Sequence, residues 1–216
     1  RYSDYEGADD GLAVMPFQCH LLHAALALGA GAGARWGKPG MGCTATCAYI
    51  ENDTLAIAHV GDSRAYLLHE GTLIRVTRDH SYVEELVDAG EITADEARVH
   101  PNRSVITRAL GSDPAMYADH FTLHIEEGDR LILCSDGLSS MIPDSDIENI
   151  ATQSSTAQIC VDNLVDAALA AGGHDNVTVV VVDLVDDGVM REAQRVRRRN
   201  ITIAAILALV FVLAAG

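Results

Sequence analysis

Three apolar segments of the sequence each border an aspartate flanked by glycine. Residues 55–60 run into Gly61-Asp62-Ser63, residues 131–134 run into Ser135-Asp136-Gly137, and Gly172-Gly173-His174-Asp175-Asn176 leads into residues 177–183. Short apolar runs of this kind favour strands that are buried in a sheet. We therefore expect Asp62, Asp136 and Asp175 at strand ends along one edge, where neighbouring carboxylates repel each other unless a cation lies among them. The pattern predicts a site for hard metal ions.

Composition indicates one folded domain with a sizeable core and argues against nucleic-acid binding. The 216 residues are 49% hydrophobic, and 31 acidic residues against 15 basic ones give a formal net charge of −16. Sequence-independent binding to nucleic acid needs a basic surface, so we expect no nucleic-acid partner. An acidic protein that acts on phosphate groups needs a metal ion or arginines where the phosphate binds.

The five cysteines match neither a zinc site nor a disulfide framework. We interpret them as reduced thiols of a domain that faces the cytosol. A redox or metal role for Cys43 and Cys47, which are separated by three residues, is the alternative.

The apolar pattern predicts consecutive antiparallel strands. Residues 41–50 and 55–60 form a predicted hairpin, residues 65–69 and 72–76 a second, residues 120–125 and 130–134 a third, and residues 177–185 a last strand. The first four strands are expected to follow one another as a meander. That order is typical of antiparallel sheets and not of alternating βα units.

Helical periodicity and capping residues predict the helices. Helices are expected at residues 17–28, 81–89, 143–151 and 155–171 and from Thr93 onward, residues 29–40 form a glycine-rich connection, and residues 105–110 are compatible with strand or helix. Ser81 is a predicted N-cap, Gly90 a predicted helix end, and Thr93 with Glu96 a predicted capping box. The fold class is therefore α+β, a sandwich in which helices cover stacked antiparallel sheets.

The end of the sequence predicts a membrane helix. Residues 201–216 carry no charge, and a cluster of arginines precedes them between residues 191 and 199. A membrane span needs about 20 apolar residues, so we expect a transmembrane helix that is cut short; a buried C-terminal core helix is the alternative. The basic cluster predicts that the preceding domain is cytoplasmic and is tethered to the cell membrane by a single pass.

Five short segments, in chain order, resemble the motifs of the PPM/PP2C metal-dependent protein serine/threonine phosphatases. They are Met41-Gly42-Cys43-Thr44, Val60-Gly61-Asp62-Ser63-Arg64-Ala65-Tyr66, Thr77-Arg78-Asp79-His80, Cys134-Ser135-Asp136-Gly137-Leu138 and Gly173-His174-Asp175-Asn176-Val177-Thr178. The chain resembles in particular the bacterial membrane-anchored branch, a partner of receptor-type Ser/Thr kinases in actinobacteria. The resemblance covers roughly residues 41–185 and implies a four-layer α-β-β-α sandwich with a metal cluster at one edge of the two sheets.

The resemblance also implies site residues and a mechanism. Asp136 and Asp175 correspond to ligands of a binuclear metal pair and Asp62 to the ligand of a third ion, with Gly137 and Asn176 in support. The implied cofactors are Mn²⁺ or Mg²⁺, two ions or three. They activate a water for direct attack on phosphoserine or phosphothreonine, so no side chain acts as the nucleophile.

Residues 78–110 match the segment that is called the flap in this family, beside the active site. Arg103 and Arg108 in the flap are candidate contacts to phosphate, and pairing within the domain is the alternative. The implied partners are phosphorylated proteins, including Ser/Thr kinases, and we expect a monomer.

The start of the sequence departs from the family pattern. The first motifs of the family, including an Asp-Gly-x-Gly-Gly segment whose Asp bridges both metals, belong upstream of residue 17 and are absent. We therefore expect an N-terminally incomplete phosphatase. Its parts are an N-terminal remnant (1–40), a phosphatase domain (41–186), a basic juxtamembrane segment (187–200) and the membrane helix (201–216). The alternative is a non-catalytic phosphatase-like module that binds phosphoproteins.

Overall fold

The computed structural model describes residues 42–111, 113 and 116–185. Four predicted segments lie outside the described residues: the helix at 17–28, the glycine-rich connection at 29–40, the basic segment at 187–200 and the membrane helix at 201–216. Among the residues that are described, no helix combines the length and the apolar character needed to cross a membrane.

The described strands form two antiparallel sheets. The first sheet contains β1 (Ala45–Glu51), β2 (Thr54–Val60) and β5 (Asp119–His124), in the order β1-β2-β5. The second sheet contains β3 (Arg64–His69), β4 (Thr72–Arg75), β6 (Arg130–Cys134) and β7 (Val179–Asp183), in the order β4-β3-β6-β7. The predicted α+β class with antiparallel sheets is confirmed.

The division into two sheets corrects two predictions. The first four strands do not form one meander, because the chain crosses between sheets at Gly61-Asp62-Ser63, after β2 and before β3. β5 and β6 do not form a hairpin either, since β5 pairs with β2 and β6 pairs with β3 and β7. β2 and β3 are buried on both faces. Separate sheets give each a central position with one face against the other sheet.

The layer between the sheets forms one part of the core. Leu55 and Ile57 of β2 pack with Leu67 of β3 and Leu131 of β6, and all four are almost inaccessible to solvent. Each fully buried side chain of this size contributes about 1.5–3 kcal/mol of hydrophobic free energy. This layer fixes β2 and β6, and with them the chain segments that carry Asp62 and Asp136.

The flap connects β4 to β5 and contains two short helices, α1 (Tyr82–Asp88) and α2 (Ala94–Val99). The predicted N-cap is confirmed, because the Ser81 hydroxyl accepts the N–H of Glu84. The predicted capping box at Thr93 is also confirmed at the start of α2. Capping of this kind matters for helices of one or two turns, whose terminal N–H groups otherwise lack partners.

The rest of the flap is irregular. Gly90 follows α1 with a positive φ of 71°, as predicted for a helix end. Residues 105–110 are neither strand nor helix. They make two isolated antiparallel bridges. Ser81 with Ile106 joins the two ends of the flap to each other, and Cys43 with Leu110 ties the second end to the chain before β1.

Helices cover the outer face of the second sheet. They are α3 (Asp136–Ser139), α4 (Asp144–Gln153) and α5 (Ala157–Ala170). Ile147 of α4 and Leu164 of α5 are fully buried in one cluster with Tyr66 and Ile132 of the sheet. α4 and α5 confirm predicted helices, whereas the single turn of α3 is too short to give a periodic signal. The described residues therefore form a helix layer and two sheets, and the fourth layer remains a prediction.

Candidate active site

Asp136 lies where β6 gives way to α3. Leu138, two residues later, is fully buried in the helix-covered core and anchors this turn. Ser135 joins the turn to the segment before β7. Its N–H donates to the Thr178 carbonyl at 3.0 Å, and its hydroxyl accepts the Thr178 N–H at 3.0 Å and donates to the Asn176 carbonyl at 3.2 Å. Two predicted site segments are thereby linked directly.

The close approach of these two segments requires glycine at position 137. A Cβ atom on Gly137 would overlap the carbonyl oxygen of Asn176 and lie 3.3 Å from the Cα of Val177. The predicted supporting residues Gly137 and Asn176 therefore meet through their backbones. Asp175 is held by the same segment, because its carboxylate accepts the N–H of Asn176 at 2.7 Å.

Asp62 lies in the crossing between the two sheets. Gly61 precedes it with a φ of 111°, and a Cβ atom there would overlap the Thr44 side chain. The Thr44 and Ser63 hydroxyls lie 3.1 Å apart and tie the crossing to the chain before β1. His80 of the flap holds the other side. The backbone N–H of His80 donates to the Gly61 carbonyl at 2.7 Å, and the backbone N–H of Gly61 donates to the ring Nδ1 of His80 at 3.0 Å.

Burial and neighbouring carboxylates raise the pKa values of Asp62 and Asp136. Burial raises the pKa of Asp62 from an ordinary value of 3.8 to about 6, and the negative charges of Asp136 and Asp79 act in the same direction. Burial also raises the pKa of Asp136, and the charge of Asp175 adds to the rise. Asp136 is therefore the aspartate that interacts electrostatically with each of the other two. A divalent cation among them relieves this repulsion.

An ion-pair network lies beside Asp62. The Arg64 guanidinium donates to the Asp79 carboxylate at distances between 2.8 and 3.1 Å and lies 3.4 Å from Asp144. Arg75 lies 2.8 Å from Asp79 and 3.1 Å from Glu84. Because carboxylates of the network already neutralise both arginines, the charge of the site aspartates stays largely uncompensated.

One cleft of about 450 Å³ brings the site aspartates together with the flap. Asp62, Asp136 and Asp175 form the part of its lining that we call the edge wall. Flap residues, with Arg98 and Arg103 among them, form another part. A group that enters the cleft therefore meets carboxylates on one side and flap side chains on the other.

Arg108 is not among the residues that line this cleft. Its Nη1 donates to Asp119 at 2.6 Å, and its guanidinium carbon lies 4.1 Å from the ring centroid of Tyr117. His80 donates to the same carboxylate from Nε2 at 2.9 Å. Although burial acts to raise it, these hydrogen bonds hold the pKa of Asp119 at about 2. Arg108 therefore anchors the flap to β5 with a charge that is already paired.

The donor set fits a divalent cation held by pairs of carboxylates. Asp136 is coupled to Asp62 on one side and to Asp175 on the other. Mg²⁺ is commonly held by one or two carboxylates together with waters and phosphate oxygens. Within the described residues, no group of three or more His, Cys, Asp or Glu side chains is placed to hold a metal ion. Among the described residues the edge wall therefore offers two electrostatically coupled carboxylate pairs, Asp62 with Asp136 and Asp136 with Asp175, and not a complete cage.

The described cysteines do not belong to the cleft lining. Cys43, Cys47, Cys134 and Cys160 are free thiols, as predicted for these four. Cys134 is closest to the edge wall in sequence, and burial raises its pKa to about 12. A thiol that stays protonated at neutral pH is a poor nucleophile, so the cleft does not support a cysteine-based reaction at this position.

Some residues that shape the cleft carry little signal in the sequence. Ser135 and Asp79 stand in two of the family-like segments, but the sequence does not identify their hydrogen-bond partners, and Arg98 stands outside all five segments. Arg64 does carry a signal, because it is a charged residue at the start of an otherwise apolar strand. A buried arginine needs a buried carboxylate, and that requirement points to Asp79 or another nearby acid.

Known proteins match most of the described chain. A profile of the family described as protein phosphatase 2C matches residues 34–177. The serine/threonine phosphatase Stp of Listeria welshimeri is 40% identical over 144 residues, which are 67% of this chain and 57% of that protein. The serine/threonine protein phosphatase PstP of Mycobacterium tuberculosis is 45% identical over 150 residues, which are 68% of this chain and 28% of that protein. The chain thus spans only part of each relative's length.

A solved structure has the same fold. The catalytic domain of the serine/threonine protein phosphatase PstP, in complex with two manganese ions, aligns with a TM-score of 0.67 and 36% identity. The alignment covers 85% of this chain and 75% of that chain. The profile match covers more than half of the 216 residues, and the resemblance seen in the motifs is confirmed. The chain belongs to the protein phosphatase 2C family.

Proposed function

We propose that this chain hydrolyses phosphoserine and phosphothreonine in proteins and that the reaction depends on divalent metal ions. The observation that carries the proposal is the position of Asp136, which is coupled in charge to Asp62 and Asp175 along one cleft. Relatives that are named serine/threonine phosphatases support the reaction and the substrate class.

The proposed cofactor is Mn²⁺ or Mg²⁺, two ions or three, and the PstP structure with two manganese ions supports this choice. Bound at the edge wall, the metal supplies an activated water and neutralises phosphate charge. Asp136 and Asp175 would hold one pair of ions and Asp62 a further ion. Ser135 and the close contact at Gly137 keep Asp136 and Asp175 at a fixed separation.

The rest of the cleft orients the substrate in this proposal. Without a cation the edge wall repels a phosphate dianion, so we expect metal dependence to be strict. Arg103 lies in the flap part of the lining and is the proposed contact to the phosphate or its neighbouring residues. Arg108 acts indirectly, because it holds the flap through Asp119.

We further propose that the chain acts at the cell membrane as a monomer. Residues 201–216 lack charged residues and follow an arginine cluster, which supports a single-pass anchor with the domain on the cytoplasmic side. The proposed substrates are phosphorylated proteins, including Ser/Thr kinases.

Phosphate release from a phosphothreonine peptide tests the proposed reaction. We expect release to require Mn²⁺ and the substitution Asp136→Asn to lower kcat/KM by roughly 100-fold or more, since it removes the carboxylate shared by both pairs. Asp146→Asn is the matched control, because Asp146 is exposed at the start of α4 and outside the cleft lining. Peptide binding without phosphate release at any Mn²⁺ concentration would support a non-catalytic module instead.

A further inference from the structure

Arg98 reaches from the flap towards the edge wall. It lies on α2, and its Nη2 donates to the Met141 carbonyl at 3.2 Å. Met141 closely follows α3, the helix that begins with Asp136. Arg98, Met141 and Asp136 line the same cleft. The guanidinium of Arg98 therefore belongs to the space that a substrate enters, and not to the outer surface of the flap.

Arg98 retains hydrogen-bond donors that the protein does not use. Arg64 and Arg75 are paired with carboxylates, whereas no ion pair within the described residues includes Arg98. Its Nε is buried and has no hydrogen-bond partner there. A guanidinium has five N–H donors, and a buried donor without an acceptor costs about 1–3 kcal/mol. Arg103 has no such constraint, because it is exposed.

Acidic residues close to Arg98 on α2 do not neutralise it. The carboxylate of Glu96 is occupied by the capping box, where it accepts the Thr93 N–H at 2.7 Å and the Thr93 hydroxyl at 2.9 Å. Asp95 forms no ion pair with Arg98 in the part of the chain that the structure describes. We therefore expect a bound ligand to supply the acceptor for the free N–H donors of Arg98.

We propose that Arg98 determines substrate specificity by binding a second oxyanion of the substrate, while the edge wall takes the scissile phosphate. This role rests on the proposed phosphatase function. The second oxyanion is a carboxylate or another phosphate on a residue that flanks the scissile phosphothreonine or phosphoserine. The planar guanidinium suits either group, because it donates two parallel hydrogen bonds.

The surrounding charge explains why an arginine without a carboxylate partner matters in this cleft. Asp62, Asp95, Asp136 and Asp175 line the same cleft. An acidic substrate flank is therefore repelled unless an unpaired cation receives it. Arg98 selects acidic or multiply phosphorylated segments, and without it the cleft favours neutral ones.

Equilibrium binding of non-hydrolysable peptides tests this role. The peptides carry a phosphonate analogue of phosphothreonine flanked by glutamate, by glutamine, or by a second phosphonate, and fluorescence anisotropy in the presence of Mn²⁺ gives each Kd. We expect wild type to bind both acidic peptides about tenfold more tightly than the glutamine peptide, the value of one charge-assisted contact. Arg98→Gln should reduce the ratio to below about twofold with little change for the glutamine peptide, and Arg98→Lys should retain part of it.

Arg78→Gln removes the same charge from an exposed position outside the cleft lining and should keep the wild-type ratio. No preference for either acidic peptide in wild type, an unchanged ratio in Arg98→Gln, or an equal loss for all peptides would each overturn the role. If wild type prefers only one of the two acidic peptides, that peptide identifies the second oxyanion as a carboxylate or as a phosphate. Hydrolysis of the matching phosphothreonine peptides is measured in parallel, so absence of reaction counts against the proposed function while the Kd ratios still decide the role of Arg98.

Discussion

The edge wall and the flap hold their charged residues in different ways. Asp62 and Asp136 on the edge wall follow buried strands, and burial together with neighbouring carboxylates raises the pKa of both. In and around the flap many charges are paired, as in the ion pairs Arg108 with Asp119, Arg75 with Glu84, and Arg78 with Asp88. The edge wall therefore carries repulsion that the hydrophobic core must sustain, whereas polar contacts themselves stabilise the flap.

The edge wall and the flap therefore depend on different interactions for their place in the cleft. The inter-sheet core supplies the free energy that keeps like charges close together. The flap buries only a few apolar side chains, among them Val83, Ala97 and Leu110, and it is tied to the first sheet by hydrogen bonds to Asp119. Changes at the edge wall should therefore act on metal binding and global stability. Changes in the flap should act on local opening.

The largest effect is expected from Gly137→Ala. The new methyl group would overlap the backbone of Asn176, which cannot rotate away as a flexible side chain does. We expect a loss of about 3 kcal/mol in the free energy of unfolding, the upper end for overpacking, measured by urea denaturation. Mn²⁺ binding should weaken too, because Asp136 and Asp175 are pushed apart.

Gly71→Ala is the control for this substitution. Gly71 has a positive φ of 80°, but nothing lies within 4 Å of the position that its Cβ would take. Backbone strain alone should cost about 1 kcal/mol. If Gly137→Ala destabilises no more than Gly71→Ala, the two site segments do not approach as closely as the edge wall requires.

An intermediate effect on the free energy of unfolding is expected from a change of pH, and Asp62 and His59 contribute to it with opposite signs. The pKa of Asp62 is raised to about 6, so its folded form retains a proton that the unfolded chain has lost, and stability falls as pH rises from about 4 to 6. Burial lowers the pKa of His59 from 6.5 to about 4, and its Nε2 donates to the Arg78 carbonyl at 3.0 Å. The unfolded chain then binds the proton first, so stability falls as pH drops from 6.5 to 4.

Asp62→Asn separates these two contributions. In metal-free protein at pH 7 we expect the variant to be more stable than wild type by roughly 2 kcal/mol, since it removes a carboxylate that is costly to ionise. Below pH 6.5 the variant should lose stability more steeply than wild type, because the Asp62 contribution that opposes the His59 contribution is gone. Urea denaturation at pH 4.5, 5.5 and 7 measures both, with Asp146→Asn as the matched exposed control. Equal stabilisation by both variants would show that ionising Asp62 costs no more free energy in the folded protein than ionising an exposed aspartate.

The smallest effect is expected from Asp119→Asn. The substitution removes the carboxylate that accepts hydrogen bonds from His80 and Arg108, and these bonds hold the flap to β5. We expect about 1 kcal/mol of local destabilisation, seen as faster amide hydrogen exchange in residues 78–110 with little change in global unfolding. Asp166→Asn on the exposed face of α5 should leave flap exchange unchanged. Uniform acceleration throughout the domain would contradict a local anchor.

The edge wall is largely predictable from the sequence, because its signals are local. Apolar runs that border Asp62, Asp136 and Asp175 place these residues beside strands whatever the topology. The caps at Ser81 and Thr93 are equally local, and both are confirmed. The metal roles of the three aspartates remain predictions.

What the sequence cannot predict depends on long-range contacts. β2 and β3 have the same apolar pattern whether they share a sheet or lie in two sheets, so the crossing at Asp62 is decided by packing between the sheets. The candidates Arg103 and Arg108 have equal weight in the sequence. Only the tertiary structure pairs Arg108 with Asp119 and leaves Arg98 without a carboxylate partner among the described residues.

Mn²⁺ titration, followed by the paramagnetic resonance signal of the free ion, tests most directly whether Asp62, Asp136 and Asp175 share cations. Wild type should take up Mn²⁺. Asp136→Asn should weaken binding roughly 100-fold, and Asp62→Asn or Asp175→Asn only about tenfold, because Asp136 belongs to both carboxylate pairs. Asp146→Asn should bind as wild type does. Wild-type uptake that is unchanged in Asp136→Asn would contradict a shared cation at the edge wall.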